Sequence, residues 1–468
     1  MKTYGKALVL GCGGSGAAAA QLLHSECTHV IVLDGGAGDE VIARADVLRH
    51  SGMEVVTDCR DLPPGDYDVC VASPGVPLSS PLLQQARARK LPVLSELELG
   101  WSRCCCPVVA VTGSNGKSTA VKWIAESLQA GGLRAEPAGN YGPPVSKIVL
   151  EQKDLDWLVL EVSTFQLETV SEFRAEVGIL LNIHPNHLDR HGDMQTYRML
   201  KAKLFAQSKG SDACIVHQPL LEEARRLSGG KGRWISFGNS AGADYLYKNG
   251  IVTAGGKQVL DLQDTIFAND VLGQAGAAVA AALVSCGLDP SCAARAASTF
   301  KPLPHRMQPV GGFGGVRFIN DSKATNLAAM AAALRMIPSK IRLIAGGLGK
   351  EKDYSFVKEL LAKKVQGVYL IGRTSKEMAS AWSDAVPCFL CETLEIAVRR
   401  ATDDAKEGDV ILLSPACASF DQFRNFEERG DRFVRLVEDR VRGGIEREMK
   451  SAPPAGAVGD LLKGVSGR

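Results

Sequence analysis

Thr112-Gly113-Ser114-Asn115-Gly116-Lys117-Ser118-Thr119 joins the residue types that hold a polyphosphate. The apolar run Val108 to Val111 precedes it, and a helix is expected to begin near Thr119. Backbone N–H groups of such a turn, with a helix N-terminus behind them, form a concave anion site. Lys117 adds a cation that reaches terminal phosphates, and Ser118 or Thr119 would hold Mg²⁺. The strict P-loop pattern needs glycine where Val111 stands, so the general motif is missed at one position.

A second glycine cluster, Gly11-Cys12-Gly13-Gly14-Ser15-Gly16, follows the run Ala7 to Leu10, and Asp34 closes the next apolar run. That pattern suits a dinucleotide, but equally any nucleotide diphosphate at a helix N-terminus. Glu161 ends the apolar run Trp157 to Leu160, at the sheet edge where α/β proteins bind ligands, and a carboxylate there can ligate Mg²⁺. After the run Val177 to Asn182 come His187, Asp189, Arg190 and His191, too polar together to be core; a solvated loop is the other reading.

These residues need sheets to present them. Ala7 to Leu10, Val30 to Leu33 and Asp68 to Ala72 read as buried parallel strands with crossover helices between them. The pattern restarts at Val108, and again after Pro302 and Pro304 with Val316 to Ile319, Ile341 to Ala345, Gly367 to Ile371 and Val410 to Leu413. The chain of 468 residues is thus expected to be α/β throughout, in three domains. These are a Rossmann-like N-terminal domain (1–103), a central P-loop-type domain with a mostly parallel sheet (104–303) and a C-terminal Rossmann-like domain (304–450). Ser451 to Arg468, rich in Ala, Gly and Pro, reads as a flexible tail.

Hydrophobic residues at 45% and charged residues at 23% are ordinary for a soluble globular protein, and a net charge of +2 gives no electrostatic reason for a nucleic-acid or membrane partner. With no apolar stretch near 18 residues and no secretory leader pattern, a cytoplasmic location is expected. The thirteen cysteines then read as small buried hydrophobes, the triplet Cys104 to Cys106 as the entry to a strand, and Cys388 with Cys391 as a lone pair without a metal partner.

The motifs T-G-S-N-G-K-S-T, G-N-Y-G-P-P, E-V-S-T-F-Q-L-E, N-I-H-P-N-H-L-D-R-H-G, Y-R-M-L-K, H-R-M, N-D-S-K-A-T-N and S-P-A-C-A-S-F-D-Q-F-x-N-F-E-x-R-G together resemble the Mur ligases, over roughly residues 5 to 440. Their order and spacing resemble the branch that adds glutamate to UDP-N-acetylmuramoyl-L-alanine. The resemblance implies an ATP-dependent ligase working through an acyl phosphate and a tetrahedral intermediate, with two Mg²⁺ ions, as a monomer.

It further implies that Gly113, Ser114, Asn115, Gly116, Lys117, Ser118 and Thr119 hold ATP, together with Arg306, Asn320, Asp321 and Lys323. Ser118, Thr119, Glu161, His187 and Lys201 would surround the metal, Lys201 as a CO₂-derived carbamate, with Lys203 a nearby competitor. Gly14, Ser15, Asp34, Ser73, Gly75, Asn140, Ser163 and Gln166 would hold the sugar nucleotide. Thr325, Lys350, Ser419 and Phe426 would hold glutamate, and Lys117, His187, Lys201 and Arg306 would carry catalysis. Closure of the third domain onto the second is implied as well. The chain departs from the family where two asparagines near ATP are replaced by Gly276 and Val279, and where aspartates are replaced by Asn186 and Gly349. An L-glutamate-adding relative and a nucleotide-binding regulator without turnover stay open as alternatives.

Overall fold

The computed structural model describes all residues but 1, 27, 352 and 452–468, and side chains through 442. The tail expected over 451–468 therefore lies outside the described residues, apart from Ser451 at the end of helix Phe426–Ser451. The chain divides into two compact units between Phe300 and Lys301.

The first unit carries two sheets. One is parallel, with spatial order Glu54–Val56, His29–Leu33, Lys6–Leu10, Val69–Ala72, Val93–Ser95. The other has nine strands, in the order Lys257–Asp261, Ile251–Ala254, Tyr245–Lys248, Arg233–Gly238, Ala213–His217, Val177–Leu180, Val108–Thr112, Trp157–Glu161, Ala135–Gly139. Successive residues of a strand face opposite ways, which explains the near-continuous apolar runs: Val109 and Val111 enter one core, Val108 and Ala110 another. The second unit repeats this logic in six strands, in the order Gln308–Phe313, Val316–Asn320, Val410–Leu413, Ile341–Gly346, Val365–Ile371, Cys388–Glu392. There Leu343 and Leu412 face one core while Ile344 and Ile411 face the other.

The ten apolar runs singled out in the sequence are strands, within a residue or two at their ends. Two antiparallel features are additions to that reading. Tyr245–Lys248, Ile251–Ala254 and Lys257–Asp261 form a meander, and Gln308–Phe313 pairs antiparallel with Val316–Asn320. The tight turns are Asn249-Gly250, Gly255-Gly256 and Gly314-Gly315, with φ positive at both residues of each pair. Such pairs match the twist of the strands they join.

Two further corrections concern local structure. The helix after the phosphate loop begins at Lys117 rather than Thr119, because Gly116, at φ 82°, caps it in a left-handed conformation. The cysteines are not uniformly buried: Cys105 is exposed, and Cys59, Cys104, Cys106, Cys286 and Cys388 are half-buried. No helix among the described residues is long and apolar enough to cross a membrane.

Candidate functional site

The loop 112–119 leaves an interior strand of the nine-stranded sheet, where the strands on both sides of Val108–Thr112 also end in functional side chains. Gly113 has φ 156°, and a Cβ there would lie 3.1 Å from the Cβ of Leu181, so the close passage of two strand ends excludes a side chain. Asn182 clamps the turn. Its Oδ1 accepts from the N–H groups of Ser114 (3.1 Å) and Asn115 (2.9 Å), and its Nδ2 donates to the Asn115 carbonyl (3.0 Å). Ser114 Oγ donates to the His184 carbonyl (2.9 Å), accepts from the His184 N–H (2.8 Å) and meets Tyr197 Oη (3.0 Å).

Two lysines converge on one carbonyl. Lys117 Nζ donates to the Gly113 oxygen (2.9 Å) and the Ser114 oxygen (3.0 Å), and Lys201 Nζ donates to the same Gly113 oxygen (2.9 Å). Lys201 is 1% exposed. Burial, and then the charge of Lys117, push its pKa well below the usual lysine range, with Glu161 pulling the other way. Next to them the Ser118 hydroxyl donates to Glu161 Oε2, and Asn140 Nδ2 donates to Glu161 Oε1 at 2.5 Å. Glu161 thus joins the phosphate loop to Asn140. Thr119 is half-buried one residue further along the helix.

His187 sits at φ 55° before the short helix Leu188–His191, its ring edge against Phe165 with centroids 4.9 Å apart. The polar run after it is tied down rather than solvated. Arg190 pairs with Glu168 (2.6 Å) and donates to the Val76 carbonyl (3.1 Å), and buried His191 meets Thr164 Oγ1 at 2.9 Å. Among the described residues no three His, Cys, Asp or Glu side chains gather as a metal centre. The Ser118 hydroxyl next to the Glu161 carboxylate is a hard-oxygen pair of the type Mg²⁺ prefers. Lys201 as an ammonium would repel an ion there. As a carbamate it would supply a further oxygen ligand.

A cavity of about 810 Å³ opens at the carboxyl ends of the five-stranded sheet. Gly14, Ser15, Asp34, Ser73, Gly75, Asn140 and Gln166 line it, as the sequence suggested. The helix Gly14–Ser25 has no side-chain cap, so its first N–H groups are open to an anion. Asp34 holds the glycine loop in shape: Oδ2 accepts from Cys12 N–H (2.7 Å) and Oδ1 from Gly36 N–H (2.9 Å). Ser163 does not line the cavity; it caps helix Thr164–Leu167, with its hydroxyl 2.9 Å from Gln166 Oε1. Sequence reasoning missed Arg60, the single basic side chain in the cavity wall among the described residues. It stands in an irregular segment with no motif to mark it.

In the second unit Asn320 is buried, with Nδ2 on the Gly430 carbonyl (3.2 Å) and 3.0 Å from His305 Nδ1. It fastens helix Phe426–Ser451 to the sheet. Asp321, buried, accepts from Met307 N–H (3.2 Å) and Ser414 Oγ (2.9 Å), and burial raises its carboxyl to about 7. Arg306, half-buried, is flanked by the left-handed residues His305 and Met307. Lys323 Nζ lies 3.6 Å from the ring centroid of Phe426, so an expected nucleotide residue and an expected glutamate residue are neighbours. Ser419 is buried, Thr325 half-buried and Lys350 exposed. Arg429, near the end of the last motif, had no role assigned to it in the sequence. It is 1% exposed and donates to Ser322 Oγ (3.0 Å), the Ser322 carbonyl (2.8 Å) and the Cys417 carbonyl (3.1 Å).

The two positions that lack the expected asparagines belong to the core. A Cβ on Gly276 would stand 2.6 Å from Leu262 Cδ1 and 3.1 Å from the Trp123 ring, and Val279 is completely buried.

Comparison with known proteins yields two family matches, the Mur ligase middle domain over residues 111–282 and the Mur ligase glutamate ligase domain over residues 305–417. UDP-N-acetylmuramoylalanine--D-glutamate ligase of Koribacter versatilis is 34% identical over 454 residues, covering 95% of this chain and 99% of that one. The ligase of the same name from Nitratidesulfovibrio vulgaris is 38% identical over 436 residues, covering 92% and 96%. Among solved structures, UDP-N-acetylmuramate-alanine ligase from Thermotoga maritima superposes with a TM-score of 0.60 at 19% identity, covering 93% of this chain and 99% of that one. That last likeness concerns the fold.

Proposed function

The chain belongs to the Mur ligase family, and from that premise we propose that it joins D-glutamate to UDP-N-acetylmuramoyl-L-alanine with consumption of ATP, in cytoplasmic synthesis of peptidoglycan precursors. The observation that carries this reading is the relay Asn140–Glu161–Ser118. Asn140 lines the cavity suited to a sugar nucleotide and also bonds Glu161, which bonds the phosphate loop. An acid at the end of a nucleotide-linked sugar would so lie next to the terminal phosphate of ATP.

A carboxylate does not acylate an amine in neutral water, because oxide would have to leave. Transfer of the γ-phosphoryl group to the alanine carboxylate gives an acyl phosphate whose leaving group is phosphate. The glutamate amine then attacks, and the tetrahedral intermediate collapses to amide. Lys117 would turn from the Gly113 and Ser114 carbonyls to the phosphoryl oxygens, where charge develops. Arg306 and Lys323 would add cations on the same polyphosphate, and Thr325, Lys350, Ser419 and Phe426 would orient glutamate.

Mg²⁺, when bound, neutralises phosphate charge and orients the transferred group. Ser118, Thr119, Glu161, His187 and a carbamate on Lys201 would hold it. The low basicity of buried Lys201 favours the neutral amine that CO₂ requires. The role of the chain's own residues is mainly to place the three substrates in line.

Phosphate release is to be measured with UDP-N-acetylmuramoyl-L-alanine, ATP and either D- or L-glutamate. Release with the D-enantiomer supports the proposal, release with L-glutamate alone moves it to an L-adding relative, and silence with both rejects turnover in favour of a nucleotide-binding regulator.

A further inference from the structure

Away from the cavity and the phosphate loop, three consecutive cysteines occupy the irregular segment between helix Glu96–Trp101 and strand Val108–Thr112. Cys104 Sγ and Cys106 Sγ lie 3.5 Å apart, within hydrogen-bond reach, while Cys105 Sγ is exposed and faces the Arg103 carbonyl at 3.8 Å. Both ends of the segment are pinned. Arg103, 7% exposed, makes a two-point pair with Glu26 at 3.0 Å and donates to the Lys2 carbonyl, and the Val108 N–H donates to Glu176 Oε2 at 2.8 Å. The sulfurs are therefore held together by the anchors on either side, and a bond of about 2.05 Å requires them to close by only about 1.4 Å.

A separate cavity of about 330 Å³ opens on these thiols, walled by Leu22, Ile148, Leu150 and Leu155 with Lys153 among its polar residues. Its volume is ample for a small hydroperoxide. The other close pair in the sequence, Cys388 and Cys391, lacks this geometry: each sulfur contacts a carbonyl, of Val386 and Phe389 respectively.

We propose that Cys104 and Cys106 are an oxidisable dithiol, converted to an intrachain disulfide by a small hydroperoxide entering through this cavity. The Cys104 thiolate attacks one peroxide oxygen; an S–O bond forms, the O–O bond breaks, and the leaving alkoxide or hydroxide takes a proton from solvent. Sulfur has lost two electrons to the peroxide. Cys106 then attacks the sulfenic sulfur; the S–S bond forms, the S–OH bond breaks, and the Cys106 proton leaves with hydroxide as water. The sulfur–sulfur contact is the largest influence on both thiols, lowering Cys104 and raising Cys106, which favours Cys104 as the first to attack. Cys104 is the nucleophile and Cys106 the resolving partner.

The test uses the full chain with hydrogen peroxide, followed by alkylation, digestion and mass spectrometry. Expected is a loss of about 2 Da confined to the peptide bearing residues 104–106, alkylation of Cys105 alone within it, and reversal by dithiothreitol. Cys106→Ser should stop at a sulfenic acid on Cys104 that dimedone captures. Persistent alkylation of both Cys104 and Cys106 after peroxide, a disulfide that uses Cys105, or dimedone capture elsewhere in Cys106→Ser would each overturn the proposal. The mapping of the unsubstituted chain stands whether or not the variant folds.

Discussion

The phosphate loop and the neighbourhood of Cys417 in the second unit both sit at the carboxyl ends of parallel strands, yet they treat polar groups differently. Around the loop most polar groups satisfy one another: Asn182 makes three bonds to the turn, Ser114 three, and the two lysines share the Gly113 carbonyl, while buried Thr112 Oγ1 lacks a partner. Around Cys417 the buried atoms Arg429 Nη1, Glu351 Oε2 and Asp421 Oδ1 have no hydrogen-bond partner, and a Cβ on Gly347 would stand 3.3 Å from Arg429 Nη1. Burial lowers the Arg429 pKa to about 10 and raises that of Glu351. The first site is built before its ligand arrives. The second stores unsatisfied polarity, which costs about 1–3 kcal/mol per group.

Lys117→Ala gives the largest expected effect, because the loop keeps its shape through Asn182 while a cation is lost where charge develops. ATP-dependent phosphate release should fall about 10³-fold with the melting temperature nearly unchanged. A large drop in melting temperature would mean that the lysine holds the loop, and the contrast with the second unit would fail.

Arg429→Ala should do the reverse. Two carbonyls and the Ser322 hydroxyl lose their donor, so chemical denaturation should show the second unit destabilised by about 2–4 kcal/mol. An unchanged transition would show that the orphaned atoms carry no strain.

Among the described residues the first unit also holds buried atoms without a partner, Thr112 Oγ1, Arg198 Nε, Gln218 Oε1, Tyr247 Oη and Glu96 Oε2, of which the last belongs to a carboxyl. Glu96 is fully buried, with Oε1 on the Ser146 N–H (2.7 Å) and Oε2 unpartnered, and burial raises its carboxyl to about 7. The folded chain keeps this proton up to about pH 7, whereas the unfolded chain releases it near 4.5. The folded state thus binds more protons between those values. Stability falls as pH rises through that window, and the whole deficit, up to about 3 kcal/mol, is present above it. Glu96→Gln should remove that slope in melting temperature against pH and stabilise the protein at pH 8. A slope unaltered by the substitution would place its origin elsewhere, Asp321 being the other carboxyl raised to about 7.

Arg60→Ala is the mildest change, since the side chain is exposed at the cavity mouth. The KM for the UDP substrate should rise about 10-fold at nearly constant kcat, as loss of uniform binding requires, with partial recovery in Arg60→Lys. An equal fall in kcat would assign it a part in the chemistry.

The sequence made the strands and the phosphate loop readable for a local reason. A parallel strand covered on both faces is apolar throughout, and a turn that cradles phosphate needs glycine and lysine at fixed spacing. The hairpin turns were readable by the same standard, since Asn249-Gly250 and the two Gly-Gly pairs are short-range signals, but they stand among weakly alternating residues and escaped. The roles that only tertiary structure revealed span long separations. Asn182 reaches the loop from 67 residues away, Arg429 reaches Ser322 over 107, and Arg60 meets the cavity from a segment without periodicity.

Composition and spacing determined which groups are present and which strand ends carry them. Whether a given group is buried, shared or left unpaired depended on the packing of distant strands, because burial and partner geometry are properties of the whole sheet. That is why Lys201 could be singled out in the chain, while its loss of basicity beside Lys117 and Glu161 was decided in three dimensions.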